Sequence, residues 1–325
     1  MKPFIKCVLL QIKIPIDLIL SITIIPCAYM LLFFRRMRGK NLPLTNKILK
    51  LIGVYPIRDH YHEPLFNEKH LTQALDVERK LPGIDFREQS QIELLSRLCY
   101  AQEFKDYIEE QNIKNRMERF LIRNGSFECG DAEFLFQFVR HFKPKKIIEI
   151  GCGNSTKITS KALSLNHEKD SIPSTHICIE PYEQPWLDTF SNIKLIRQKL
   201  EDYEFSWGEE LNAGDLLFVD SSHVIRPQGD VLKEYLEIFP QLKSGVFVHI
   251  HDIFSPRDYL SEWIVDDVRF WNEQYLLEAM LGNTSRYEII ASLNFLKHSY
   301  FEDLERVCPF LTDKNEPCSL YFRVK

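Results

Sequence analysis

Three regimes of hydrophobic patterning divide the chain. From Ile14 to Phe34 the stretch IPIDLILSITIIPCAYMLLFF is apolar at nearly every position, interrupted by Asp17 and small hydroxyl residues. As a helix it would span roughly 30 Å, the thickness of bilayer hydrocarbon. From about 41 to 124, charged stretches at helical spacing alternate with turn clusters, as in YPIRDHYHEPLF and QIELLSRLCYAQEFKDYIEEQ. They predict a helical cap or connecting layer. Beyond Gly130 the rhythm becomes regular. DAEFLFQFVRHF carries apolar residues at helical spacing behind Asp131, a suitable N-cap. KKIIEI, HICIE, IKLIRQ, DLLFVD and GVFVHIH are short runs rich in β-branched residues, separated by helical or turn segments, as buried parallel strands require. Residues 263–281 read as helix, and YEIIASLNFL and SLYFRVK as an antiparallel pair closing the sheet edge. The expected fold class is α/β, a doubly wound and mostly parallel sheet with an antiparallel C-terminal strand pair. A hydrophobic helix (1–40) and a helical cap (41–124) precede the sheet domain (125–325).

Composition narrows the partners. The 325 residues are 45% hydrophobic with a formal net charge of −5, enough for a large core. With no basic block outside the first fifty residues, nucleic acid is excluded as a partner. Eight scattered cysteines without a C-x-x-C pair read as reduced, buried thiols. Arg35, Arg36, Arg38 and Lys40 directly follow the apolar run, against Lys2, Lys6 and Lys13 before it. That bias predicts a single membrane pass with the bulk of the chain on the cytoplasmic side. A cleaved signal peptide fits worse, because the apolar run is long and no A-x-A site follows it. Asp17 near one end and Pro26 as a kink are both tolerable in a span. HYHEP (residues 60–64) has no second cluster to complete a metal site and reads as a loop.

In EIGCGNST, Gly151 and Gly153 allow a tight strand-to-helix turn that lets backbone approach a ligand. A dinucleotide site would want a third glycine where Thr156 stands. Ser155 and Thr156 offer hydroxyls instead, and Glu149 before the turn suits a cationic ligand. The next apolar run ends at Glu180, where α/β nucleoside sites place a carboxylate on the ribose hydroxyls. On these residues the chain resembles the class I S-adenosylmethionine-dependent methyltransferases over roughly 120–325. IIEIGCGNST looks like their glycine motif, ICIEPY like their ribose acid, and the last two runs like their closing strand pair. DSSH and HIHD are similar to motifs of a bacterial small-molecule subgroup. The resemblance implies a Rossmann-like methyltransferase sheet and S-adenosylmethionine as cofactor, held by Glu149, Gly151, Gly153, Asn154, Ser155, Thr156, Glu180, Asp220 and Ser221.

The stretch VHIHDIF supplies candidate chemistry. Alternation along a strand sends His249 to one face, where a structural role bonded to a neighbouring helix is expected, while His251 and Asp252 reach the carboxyl end. Asp220 and His223 end the preceding strand and should meet them there. One reading makes His223 or His251 the general base, oriented by Asp252, that deprotonates an acceptor hydroxyl. The other follows the resemblance to metal-dependent O-methyltransferases of the catechol type and makes Asp220, His251 and Asp252 ligands of a divalent metal. An imidazole in that set suits zinc, iron or manganese better than magnesium. Arg257 is the expected grip on an anionic acceptor, and the neighbouring aromatics are expected in packing. The acceptor class is a small molecule, a glycan or a lipid-linked compound. Two rivals stay open: a nicotinamide-dependent oxidoreductase, against which the missing third glycine speaks, and a non-catalytic, membrane-tethered binding module.

Overall fold

The computed structural model describes residues 3–109, 119–182 and 184–325, and of residues 3–12 the backbone alone. Lys2 of the sequence reading, and the end of the expected cap helix after Glu109, therefore lie outside the described residues, as does the side chain of Lys6. The chain divides into two compact units, residues 1–71 and 72–325.

In the first unit, α1 (Pro3–Arg36) is one continuous helix through Pro15 and Pro26. Within it Lys13–Arg36 holds a candidate span with a mean hydropathy of 2.2, whose most apolar window is not buried. That is long and apolar enough to cross a bilayer, although a signal sequence near an N-terminus has the same character. A short amphipathic helix follows, α2 (Pro43–Ile52), with Pro43 at its start and Gly53 at φ 82 closing it.

The second unit holds a seven-stranded sheet in the order β3-β2-β1-β4-β5-β7-β6. Its strands are β1 (Lys146–Ile150), β2 (Thr175–Ile179), β3 (Lys194–Ile196), β4 (Leu216–Val219), β5 (Phe247–Ile250), β6 (Tyr287–Ser292) and β7 (Leu320–Val324). The first five pair in parallel, and β7 lies antiparallel between β5 and β6. Two points differ from the sequence expectation. β6 and β7 are not joined directly, because LNFLKHS forms a helix (Leu293–Ser299) and a second one (Phe301–Val307) follows. Residues 263–281 are not one helix either: a wide turn (Glu262–Asp266) precedes irregular chain and the helix Glu273–Gly282. There Arg269 stacks on both Trp263 and Trp271, at 4.5 and 4.7 Å, a cation–π sandwich rather than helical periodicity.

Side-chain alternation sends strand residues into two cores. Ile147, Leu216, Phe218, Phe247 and Tyr321 pack with α5 (Asp131–Phe142), α6 (Asn154–Asp170) and α3 (Glu88–Arg97) on one face. Ile148, Ile150, Leu217, Val219, Val248 and Ile250 pack on the other against Tyr235, Ile238 and Phe239. Each such fully buried side chain contributes about 1.5–3 kcal/mol. α4 (Ala101–Glu109) is pinned to α5 by Phe104, which meets Phe136 edge-on at 5.3 Å, and by the buried Arg140 paired with Glu103 at 2.8 Å. The strand order reverses between β1 and β4, so the loops after them part and leave a crevice at the carboxyl edge of the sheet.

Candidate active site at the carboxyl edge of the sheet

The glycine loop is locked from below. Gly151 has φ +76, and a Cβ there would lie 1.8 Å from the carbonyl oxygen of Asp220, so the turn after β1 presses against the end of β4. Its amide donates to Ile179 O at 3.0 Å, and the amide of Asp220 donates to Ile150 O at 2.9 Å, tying three strand ends together. Gly153 has open space over its Cα. Beneath the loop the Glu149 carboxylate is wholly buried. It accepts from Ser155 Oγ at 2.6 Å and Thr156 Oγ1 at 3.0 Å, and it pairs with His176 Nε2 at 2.7 Å. Ser160 Oγ lies 3.2 Å from the other ring nitrogen of His176. Burial disfavours the imidazolium, but Cys178 and Glu149 outweigh it and carry the His176 pKa up to about 10.

Above the loop lies a cavity of about 590 Å³. Gly151, Gly153, Asn154, Ser155, Glu180, Asp220 and Ser221 line it. Glu149 and Thr156 do not: they face the interior and hold the loop's shape. Glu180 accepts from the Tyr182 amide at 2.9 Å and from the Cys152 amide at 3.3 Å, which fixes its carboxylate at the rim.

Beside Asp220 the strand ends form a cage. His223 Nε2 lies 3.2 Å from both Asp220 Oδ1 and Asp252 Oδ2, while its Nδ1 bonds Glu273 Oε2 at 2.9 Å. His251 Nδ1 sits 3.4 Å from Asp252 Oδ1 and 3.6 Å from Asp220 Oδ1. Both ring nitrogens of His251 thus face carboxylates, the second with Asp131 Oδ2 at 3.9 Å. His223 and Asp252 each have φ 58, a left-handed backbone that side chains adopt at some cost and that gathers at functional sites. Burial opposes charge on the imidazoles. The facing carboxylates outweigh it, holding His251 at about 9 and His223 well above its usual range. Asp220 and Asp252 are lowered in turn, the imidazoles overcoming the effect of burial. Asp220, His223 and Asp252 offer donor atoms within 4.8 Å of one another, so His223 joins the expected Asp220, His251 and Asp252 as a candidate cation ligand. Two further sets, Asp131–His251–Cys318 and Glu149–Cys152–Cys178, meet the same distance.

Residues 148–253, from β1 to just past β5, match the family model described as a methyltransferase domain. Over this segment the chain carries a methyltransferase domain. A protein of Archaeoglobus fulgidus with no assigned function is 29% identical over 164 residues, covering 47% of this chain and 72% of its own. Among solved structures, an O-methyltransferase from Bacillus cereus in complex with SAH is 12% identical with a TM-score of 0.39, covering 69% of this chain and 90% of that one. The 1,6-didemethyltoxoflavin-N1-methyltransferase of Burkholderia thailandensis is 10% identical with a TM-score of 0.35, covering 77% and 94%. Likenesses this distant say nothing about what this chain methylates.

The methyltransferase domain brings Asp220, His223, His251 and Asp252 together and leaves Arg257 apart. Arg257 Nε donates to Asp76 O at 3.0 Å, and its Nη2 lies 3.7 Å from Glu78, so its guanidinium engages residues 76–78 and does not line the cavity. Arg226, in the loop after β4, lines the mouth instead. His249 does face the α5 side, but neither ring nitrogen has a hydrogen-bond partner. It stacks on Tyr321 at 4.1 Å, and burial lowers its pKa well below 6.5, so it is a neutral packing ring. Sequence reasoning missed Glu273, Cys318 and the second role of Asp131. Glu273 stands at the start of a helix with no local motif. Gly130, not Asp131, stands at the N-cap of α5, and the Asp131 carboxylate accepts from the Cys318 amide at 3.0 Å.

Proposed function

We propose that the chain transfers the methyl group of S-adenosylmethionine to an oxygen of a small-molecule, glycan or lipid-linked acceptor, and that α1 anchors it in a bilayer with the second unit on the cytoplasmic side. The observation that carries the transfer is the cavity over the glycine loop opening beside the Asp220–His223–Asp252 cage. The methyltransferase family match supports the donor. Glu180 at the rim suits the ribose hydroxyls, and Asp220 and Asp230 on the wall suit a sulfonium.

Transfer is an in-line displacement. The acceptor oxygen bonds to the methyl carbon, the carbon–sulfur bond breaks, and S-adenosylhomocysteine leaves as a neutral thioether. Holding the two reactants within reach supplies most of the rate. The acceptor proton goes to Nε2 of His223 once that nitrogen is free of its own proton, with Glu273 fixing the ring through Nδ1. Asp252 and Asp220 then stabilise the imidazolium formed. A second reading rests on the same three donors: with Nδ1–H given to Glu273, Nε2 can face a divalent cation held with Asp220 and Asp252. Such a cation would lower the pKa of an acceptor hydroxyl, and the imidazole favours zinc, manganese or iron over magnesium. The anchor reading is supported by the length, hydropathy and exposure of Lys13–Arg36, and its orientation by the basic residues that follow.

The test is transfer of labelled methyl from S-adenosylmethionine to a panel of hydroxyl acceptors, with and without a chelator. Turnover that survives chelation and falls in His223→Gln supports the base, and turnover abolished by chelation supports the cation. Tight donor binding with no transfer to any hydroxyl acceptor overturns the reading.

A further inference from the structure

The first unit carries a feature that an anchoring helix does not require. Between Arg35 and Arg58 the chain has seven Lys and Arg residues and no Asp or Glu, in a protein whose net charge is −5. Arg35 and Arg58 are both spoken for by Glu63. Arg36, Arg38, Lys40, Lys47 and Lys50 have no ion-pair partner among the described residues.

Within this basic segment α2 wears its apolar stripe outward. Leu44, Ile48, Leu51 and Ile52 fall at i, i+4, i+7 and i+8, one helical face. They are 72, 46, 85 and 67% exposed, and no residue of α2 is buried. A surface helix of a globular unit turns such a stripe toward its core, and a ten-residue helix without packing is marginal in water. The chain nevertheless fixes α2 beside the C-terminal end of α1. Phe34 is buried and meets Tyr55 edge-on at 5.9 Å, and Asn41 Nδ2 donates to Met37 O at 2.8 Å. A Cβ at Gly39 would lie 2.8 Å from the Phe34 ring and 2.9 Å from the Tyr55 hydroxyl, so a side chain there would have to push those two rings aside.

We infer that α2 is a second membrane element, lying in the interface of an anionic leaflet. Its four aliphatic residues enter the acyl boundary, and Arg36, Arg38, Lys40, Lys47 and Lys50 meet lipid phosphates. Two observations choose this occupant. Large apolar side chains are exposed on α1 and α2 alike, and the unpaired charge complements anionic headgroups. A second copy of the same face would bring like charges together, and a nucleic acid has no use for four large aliphatic side chains. The inference rests on the membrane part of the function proposed above and is independent of its chemistry.

The test is limited trypsin digestion of the full chain reconstituted in phosphatidylcholine vesicles and in vesicles with roughly one third phosphatidylglycerol. Cleavage after Lys47 and Lys50 is normalised to cleavage after the exposed Lys314. The anionic vesicles should slow it by roughly tenfold, an effect lost at high salt and in the double variant Ile48→Glu/Leu51→Glu. Equal rates in the two vesicles overturn the inference, as does protection that ignores lipid charge and rises with protein concentration, the mark of a second copy. Alkaline carbonate extraction reads α1 separately. A chain that resists extraction but shows no lipid-dependent protection keeps the anchor and overturns the role of α2. A chain that is extracted yet floats with anionic vesicles and is released by salt keeps α2 and overturns the span.

Discussion

Two polar clusters flank the glycine loop, one beneath it and one at the neighbouring strand ends, and they are built on opposite principles. Under the loop, Glu149 is sealed from solvent and receives two hydroxyls and an imidazole at 2.6–3.0 Å. At the strand ends, Asp220 is partly exposed to the cavity, His223 and Asp252 carry left-handed backbone, and the distances from the imidazoles to Asp220, Asp252 and Asp131 stretch from 3.2 to 3.9 Å. The first network has every carboxylate oxygen paired and does the work of a keystone. The second leaves lone pairs facing space, which is what a site for a transient ligand requires.

Substitutions should separate the two. The largest effect is expected at the keystone: Glu149→Ala leaves a buried imidazole and two hydroxyls without their acceptor and should cost about 3–5 kcal/mol in denaturant unfolding. Gly151→Ala, whose Cβ has no room, should cost roughly 3 kcal/mol and abolish donor binding in whatever folds. In the cage, His223→Gln and Asp252→Asn should still fold, with a smaller loss of stability than Glu149→Ala, and lose roughly 10²–10⁴-fold in kcat. If they unfold instead, the distinction between the clusters fails.

Two pH experiments sharpen the contrast. The His223 pKa is raised in the folded chain by Asp220, Asp252 and Glu273 against the pull of burial, so its basic form gathers only on the alkaline side. kcat should climb with pH above neutrality, and in Glu273→Gln, which removes one raising contact, that limb should move to lower pH. For His176 the consequence is stability. Its pKa of about 10 when folded exceeds the roughly 6.5 of an unfolded histidine, so the stabilisation is complete below about pH 6.5 and is lost as pH rises through 10. Tm measured from pH 7 to 10 should fall, and Glu149→Gln should flatten that slope. The smallest effect is expected from Arg257→Ala: with its guanidinium on residues 76–78, KM for the acceptor should change by less than about threefold.

The parallel strands were legible because each is a short β-branched run ending in a polar or glycine residue, and β1 to β5 formed where those runs stand. Legible too was the convergence of Asp220, His223, His251 and Asp252, since strand ends of one parallel sheet share an edge. Three kinds of information were hidden. Which side of a loop a residue faces is decided by burial, so Glu149 and Thr156 looked like ligand contacts and lie beneath the loop. Long-range partners such as Glu273, 50 positions from His223, have no sequence-local signal. The stretch around Trp263 and Trp271 has helical spacing, but Arg269 between the two rings satisfies them in an irregular path.

The decisive measurement is calorimetric titration of S-adenosylmethionine into the full-length chain in detergent, beside Glu180→Ala and His223→Gln. The parent and His223→Gln should bind with the same affinity, and Glu180→Ala at least about tenfold more weakly, since the donor site and the cage are neighbouring but distinct. No saturable heat from a folded parent, or Glu180→Ala binding like the parent, would contradict the assignment of this cavity to the methyl donor.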